Sequence, residues 1–567
     1  MKRVTSLVIA GLVLMLHVPL SWSGPPNPTD SDNLANTAGG AAAVISVTSG
    51  SANTGFGFEA LHEVQTGSNN AAFGAGALSK NKESDNTATG FQALFNNTFG
   101  TSNAAHGSNA LLSNTTGTGN TAGGANALYS NTTGHSNTAV GIYALHDNTI
   151  GIQNTACGAD ALYHNSTGLN NTATGSGVLF FNTTGIQNTA SGVDALQLNT
   201  SGNNNTATGV SALFGNSTGS YNTAHGYQAL FSNVTGGGNT ASGANALYRN
   251  TANDNTATGA LALFENSTGT HNTAIGVSAL QSNTTGTENT ASGHQALLFN
   301  TTGADNTANG TLALFNNTTG DDNTATGFAT LLNNTSGNNN TASGVNALQS
   351  NTTGNKNTAS GAFALANNAT GVSNTALGYA ALQNSTGNLN IAVGQGAGAA
   401  LTGGSKNIYL GHPGASTESN TMRLGNTQKK TYIAGVTSAS VTGTVVLINA
   451  SGRLGVPLSS ARYKQDIAPM GASSAGLLQL RPVTFAYTED EERVRQYGLI
   501  AEEVATVYPE LVTRTATGEV QAVRYQELIP MLVNELQRQQ HVTEHLQREL
   551  AELRSLVGQM RGGVAQR

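Results

Sequence analysis

The sequence predicts a mostly β fold: a parallel β-solenoid of about 23 coils of 17 residues, followed by a small α+β domain that ends in a coiled-coil helix. Three observations carry this prediction. A 17-residue unit recurs through most of the chain, a short fixed period that marks stacked coils rather than separate domains. Charge is scarce, at 9% of 567 residues, yet 26 of the 53 Asp, Glu, Lys and Arg residues lie from Ser459 onward. That asymmetry marks a domain boundary. Near the C-terminus, apolar residues then fall at alternating spacings of 3 and 4, the pattern of a helical seam.

The first element is "MKRVTSLVIAGLVLMLHVPLSWSGPP". Lys2 and Arg3 precede an apolar run, and Ser21 and Ser23 stand before Gly24, so residues 1–23 read as a secretory signal. Residues 24–35 follow as a linker. No later segment has eighteen consecutive apolar residues, so after signal removal no stable transmembrane segment is expected and the chain is expected to be secreted or held at a cell surface. A net charge of -7 without a basic patch excludes nucleic acid as a partner.

Residues 36–411 are the repeats. The pattern NTATG at Asn86 returns at Asn103, Asn120, Asn137 and Asn154, slips by one residue at Asn255, and resumes to Asn374. Degenerate copies extend it to Asn36 and Asn53 upstream and to Asn390 and Asn407 downstream. The unit is N-T-A-x-G-x-x-A-L-x-x-N-T-T-G-x-x. Asn, Thr and Gly form helices poorly, and only the Ala-Leu pair, as at Ala93-Leu94, is regularly apolar, so each unit is expected to be one β coil. Coils stacked at about 4.8 Å superpose identical residues, giving Asn ladders, a thin Ala and Leu core, and a rod on the order of 110 Å long.

One cysteine, Cys157, cannot make an intrachain disulfide, and it occupies a variable slot of the unit. The histidines occupy unrelated slots without ligand spacing, so neither a metal nor a cofactor is expected. A core of one Leu per coil buries little apolar surface, which points to stabilisation by association. The repeat resembles the left-handed β-roll heads of trimeric, YadA-type autotransporter adhesins, whose units stack in three parallel chains. That resemblance implies a homotrimer with a possible cell-surface or glycan ligand.

Residues 412–458 read as a β-rich connector, with a hairpin from about Val445 to Val456 around the turn signal NASG. Beyond it, RPVTFAYT reads as a strand, YGLIAEEVATVYPELV as a helix closed by Pro509, and EVQAVRYQ as a strand leading into a long helix. In that helix Ile529, Leu532, Leu536, Gln539, Thr543, Leu546, Leu550, Leu553, Val557 and Met560 form the seam of a coiled coil over about 527–560.

Ser459 and Lys464 stand where the charged domain begins. Ser and a desolvated Lys can form a nucleophile–base pair, although five-residue spacing alone is a weak signal. The blocks SSARYKQDI, LLQLRPVTFAY, QYGLIAEEV and VRYQELIPMLVNELQ closely resemble, in order, the intramolecular chaperone domain of phage endosialidases and other tail spikes, also found in myelin regulatory factor. The resemblance covers Ser459 to about Met560. It implies that residues 459–567 drive trimer assembly and then cut the chain before the Ser of an S-D-x-R-x-K motif. Here that motif reads Ser459, Ser460, Ala461, Arg462, Tyr463, Lys464, so Ser460 stands in place of Asp.

By the resemblance, Ser459 attacks the carbonyl of Leu458, Lys464 is the base, Arg462 supports the loop, and Ser460 is a second candidate nucleophile. The expected protein is thus an exported, adhesin-like trimeric fibre that cleaves itself at Leu458-Ser459. The alternatives are an uncut surface-binding rod with a permanent trimerisation clamp, and a spike-mounted glycan-active enzyme. Paired carboxylates for the last have no home in the repeats, where Asp160, Glu265 and Asp321 are scattered.

Overall fold

The computed structural model describes residues 32–434, 445–449, 451–488, 490–515 and 517–564; the expected signal segment lies outside them. Two compact units divide the chain, one ending at Thr431 and the other beginning at Tyr432.

The first unit is a parallel β-solenoid. Each coil contributes one three-residue strand, from β1 (Thr37–Gly39) to β23 (Ile408–Leu410), and all join one parallel sheet. Pairing is residue on like residue, as in Thr189 with Thr206 and Ala190 with Ala207. The stack outruns the recognisable repeats, because β24 (Met422–Leu424), in the segment expected as connector, pairs with β23.

The strand is short because the chain must turn back within 17 residues. It turns at residues in the left-handed region: Gln92 (φ 54°), Leu94 (φ 52°) and Ser102 (φ 58°), with equivalents in coil after coil. A non-glycine residue there costs about 1–2 kcal/mol. Stacking holds it in place, as the amide of Leu94 donates to the carbonyl of Ala110 at 2.9 Å while the side chain is fully buried. The glycine of N-T-A-x-G has a different cause. At Gly90 φ is +138° and an added Cβ would sit 2.5 Å from the carbonyl oxygen of Gly107, so coil spacing itself demands glycine.

Two asparagine ladders run inside the rod. In the first, Asn171 donates from its amide and from Nδ2 to Oδ1 of Asn154, at 3.0 and 3.1 Å, and Nδ2 also reaches the carbonyl of Gly185 at 2.8 Å. In the second, Asn182 Nδ2 donates to Asn165 Oδ1 at 2.8 Å and to the carbonyl of Gly185 at 3.1 Å. Buried amides stay satisfied because each coil supplies the partner its neighbour lacks. Where a coil is one residue short, the ladders join: Asn86 Nδ2 donates to Asn81 Oδ1, and Asn255 Nδ2 to Asn250 Oδ1, both at 3.2 Å. Beside the ladders runs the continuous Ala and Leu core, with Ala88, Ala93 and Leu94 fully buried.

The core ends at Tyr409, which fills the place of an alanine. Its hydroxyl donates to Glu418 Oε1 at 2.9 Å, and Arg423 clamps the same carboxylate, with Nη2 2.7 Å from Oε2. Burial pushes the Glu418 carboxyl up, but the hydrogen bonds from Arg423, Tyr409 and the amide of Ala415 outweigh it and hold the group below its usual range.

The second unit opens with the expected hairpin, β25 (Leu447–Ile448) against β26 (Leu454–Gly455), whose turn is held by Asn449 Oδ1 accepting from the amides of Ser451 and Arg453. A 3-10 turn at Ala461–Tyr463 and a longer one at Gly471–Gln479 follow. Then come β27 (Val483–Phe485) paired with β28 (Gln496–Gly498), α1 (Ala501–Val507), β29 (Val512–Arg514) paired with β30 (Val520–Val523), and α2 (Tyr525–Val564). Val504, Tyr508, Leu511, Val512, Leu528 and Met531 form its core. A polar clamp binds α2 to the 3-10 segment: Asn534 Nδ2 donates to Ser474 Oγ at 2.6 Å, and that hydroxyl donates to Glu535 Oε2 at 3.1 Å.

Candidate functional site: the Ser459–Lys464 segment

Five extended residues would separate Ser459 from Lys464 by roughly 17 Å. The 3-10 turn removes that distance. Ser460 enters it extended (φ -64°, ψ 140°), its carbonyl accepts from the amide of Tyr463 at 3.0 Å, and the amide of Lys464 donates to the carbonyl of Ala461 at 3.1 Å. Lys464 leaves it extended, and its Nζ lies 3.4 Å from Ser459 Oγ. This is longer than an ordinary N–H···O bond.

Arg462 points elsewhere. Its guanidinium lies 4.9 Å from the centre of the Tyr463 ring, a cation–π contact that stiffens the turn. Tyr463 therefore packs against Arg462, a contact that residue spacing did not reveal. Ser460 is exposed and makes no side-chain cap to the turn. Leu458 is 63% exposed, and Ser459 and Lys464 are exposed as well. The segment is thus open to solvent in a single chain.

The seam of α2 is open too. Ile529, Leu532, Leu536, Leu546, Leu550, Leu553 and Val557 are all exposed, while the neighbouring Leu528 and Met531 pack into the domain core. Helix α2 therefore carries two apolar faces, one used by its own domain and one bare. At the weak middle of the seam, Thr543 Oγ1 satisfies itself by donating to the carbonyl of Gln539 at 2.8 Å. The Asn534–Ser474–Glu535 clamp, which fixes the root of α2, has no periodic signature and was not anticipated.

Among the described residues no three His, Cys, Asp or Glu side chains are grouped to hold a metal ion, and no helix is long and apolar enough to cross a membrane. Neither a curated protein nor a solved structure matches the chain. Residues 459–513, beginning at Ser459 itself, match the family described as the chaperone of endosialidase, and the repetitive solenoid precedes that match.

Proposed function

We propose that the chain is one protomer of an exported trimeric fibre of the tail-spike or adhesin kind, whose C-terminal domain assembles three solenoids and then removes itself by cutting Leu458-Ser459. The observation that carries this reading is the pair Ser459 and Lys464, folded to 3.4 Å at the first residue of the family match.

In the cut, Lys464 as the neutral amine takes the Oγ proton of Ser459, and Oγ bonds to the carbonyl carbon of Leu458. The Leu458–Ser459 C–N bond breaks as Lys464 returns the proton to the departing amine. Water hydrolyses the resulting ester, leaving a carboxylate on Leu458 and freeing the fragment Ser459–Arg567. A lysine becomes a general base when its ammonium is stripped of water. Lys464 is exposed in the single chain, so that stripping has to come from neighbouring copies, and cleavage follows assembly.

Assembly needs help because three long, thin-cored chains have a high entropic cost of finding register. The bare seam of α2 supplies a local nucleus, with each exposed Leu gaining about 1.5–3 kcal/mol on burial. Removal of the domain leaves a fibre that is kinetically trapped, since its separated chains no longer carry the assembling element. The permanent-clamp alternative draws on Ser460 at the motif's Asp position and on the solvent exposure of the pair.

The deciding experiment compares the full chain with Ser459→Ala by denatured and native mass. Loss of Ser459–Arg567 from the wild type only, with both assembling as trimers, supports self-cleavage. Two intact trimers support the clamp, and monomers in both overturn the fibre.

A further inference from the structure

One outward face of the solenoid lacks Asp, Glu, Lys and Arg and is rich in exposed apolar side chains. In the repeat numbering, positions 2 and 4 of each strand point outward on either side of the buried alanine, and position 6 follows just past the glycine corner. From Asn36 to Gly411 no Asp, Glu, Lys or Arg occupies any of these three positions. The charges lie elsewhere in the coil, as at Asp147, Asp194, Arg249 and Lys356. The same three positions hold most of the exposed large apolar side chains of the repeats, including Phe58, Ile142, Val210, Val277, Phe328 and Tyr379 at position 6.

Depletion of charge together with exposed apolar side chains is the composition of an interface core. Single surface hydrophobes need no explanation, but exposed apolar side chains that recur at the same three positions along the rod do. Its extent also suits a protein partner. Twenty coils at about 4.8 Å, and the two residue steps of about 3.3 Å along each strand, give roughly 600 Å² per copy before the side chains of position 6 are added. With position 6 included the face approaches the roughly 800 Å² per partner of a standard interface.

We infer that this face turns toward the axis of the fibre and is covered by the same face of the other copies of this chain. The inference rests on the trimeric reading above and adds to it which side of each rod is inside. A second copy fits better than an unrelated partner because like coils have like spacing, so every uncharged row meets an identical row along the full length. Position 4 lies in the middle of the face and is mostly small: Thr174, Ser191, Thr208 and Ser242. Small residues there let three sheets approach closely. Cys157 occupies position 4 of strand β8 (Thr155–Cys157) and is exposed in the single chain, so it reports on the axis without mutation.

The test is oxidative and short-linker crosslinking of the full chain at native mass. Expected are interchain crosslinks through Cys157 in the wild type, and through Ala244→Cys at position 6 in a Cys157→Ser background. Thr268→Cys, on the polar side of the coil, should give none in that background. Crosslinking at Thr268→Cys alone, no crosslinking at any site, or a trimer whose Cys157 reacts freely with a bulky maleimide would overturn the inner face while leaving the trimer standing. A monomeric native mass would overturn both.

Discussion

Lys464 Nζ lies 3.4 Å from Ser459 Oγ across one 3-10 turn, and both side chains are open to water. Proximity is present in the single chain; the dry environment that would make the lysine a base is not. If cleavage uses this pair, Ser459→Ala and Lys464→Ala should each abolish release of Ser459–Arg567, and Ser460→Ala should leave it intact. Ser460→Asp, which completes the motif, should accelerate release. Time courses by denatured mass follow all four, and persistent cleavage in Ser459→Ala would move the nucleophile to Ser460.

The second asparagine ladder stops after Asn368. Ser385 occupies the position where the second ladder expects Asn, its Oγ has no partner, and Asn368 Oδ1 is buried without a donor. Ser385→Asn should supply the missing Nδ2 and raise stability by about 1 kcal/mol, the net value of a satisfied hydrogen bond. Asn171→Ala should do the reverse. It leaves the buried amide of Asn188 without an acceptor and takes one of two donors from Asn154 Oδ1, which keeps the backbone amide of residue 171, and from the carbonyl of Gly185, which keeps Asn182 Nδ2, at a cost of about 1–3 kcal/mol. Denaturant midpoints of the two variants should move in opposite directions; movement in the same direction would show that the ladder is not the stabilising element.

How much of this was legible follows from what repeats. The 17-residue period, the Asn ladders and the Ala and Leu core were readable because each coil poses the same problem and solves it with the same residues, as at Asn154, Asn171 and Asn188. The left-handed Leu94 was not readable. Nothing in leucine favours φ near 52°, and the conformation exists only because the next coil accepts the hydrogen bonds it offers. The stacking of β24 onto β23 and the Tyr409–Glu418–Arg423 cap also escaped the sequence, since they occur once and periodicity is silent about single events. At the candidate site, the family resemblance pointed to Ser459 and Lys464 but not to the turn between them or its exposure, which depend on Ser460 and Tyr463 backbone geometry.

That cap should titrate. The Glu418 carboxyl sits below its usual value near 4.5 when folded, so the folded state binds its proton less readily than the unfolded state. The stabilisation is complete above the unfolded value and is lost as pH falls through the folded one. Amide exchange at Ile408–Leu410 should therefore rise in acid well before exchange at mid-rod strands such as Thr206–Thr208. Arg423→Ala removes the largest interaction lowering the carboxyl, so it should raise exchange at neutral pH and flatten the acid dependence. An end of the rod that opens no sooner than its middle in acid would rule out the cap.

The two apolar faces of α2 separate folding from assembly. Leu528 and Met531 serve the domain core, whereas Leu546 and Leu550 lie further along the helix and are exposed. Leu550→Asp should therefore leave the domain folded, with the Tyr508 hydroxyl still donating to the carbonyl of Ser473 and its near-ultraviolet signal unchanged. In a trimer it would bury three carboxylates on one axis at several kcal/mol per ion and forfeit the burial of Leu550 itself, about 1.5–3 kcal/mol per chain. Native mass should fall to that of a monomer, and release of Ser459–Arg567 should stop with it, because the desolvation of Lys464 depends on the neighbours. Leu528→Asp should instead unfold the domain and lose the near-ultraviolet signal together with assembly. If Leu550→Asp still trimerises, the seam is not the nucleus; if it becomes monomeric yet still cleaves, Lys464 gains its dry environment within one chain and cleavage does not wait for assembly.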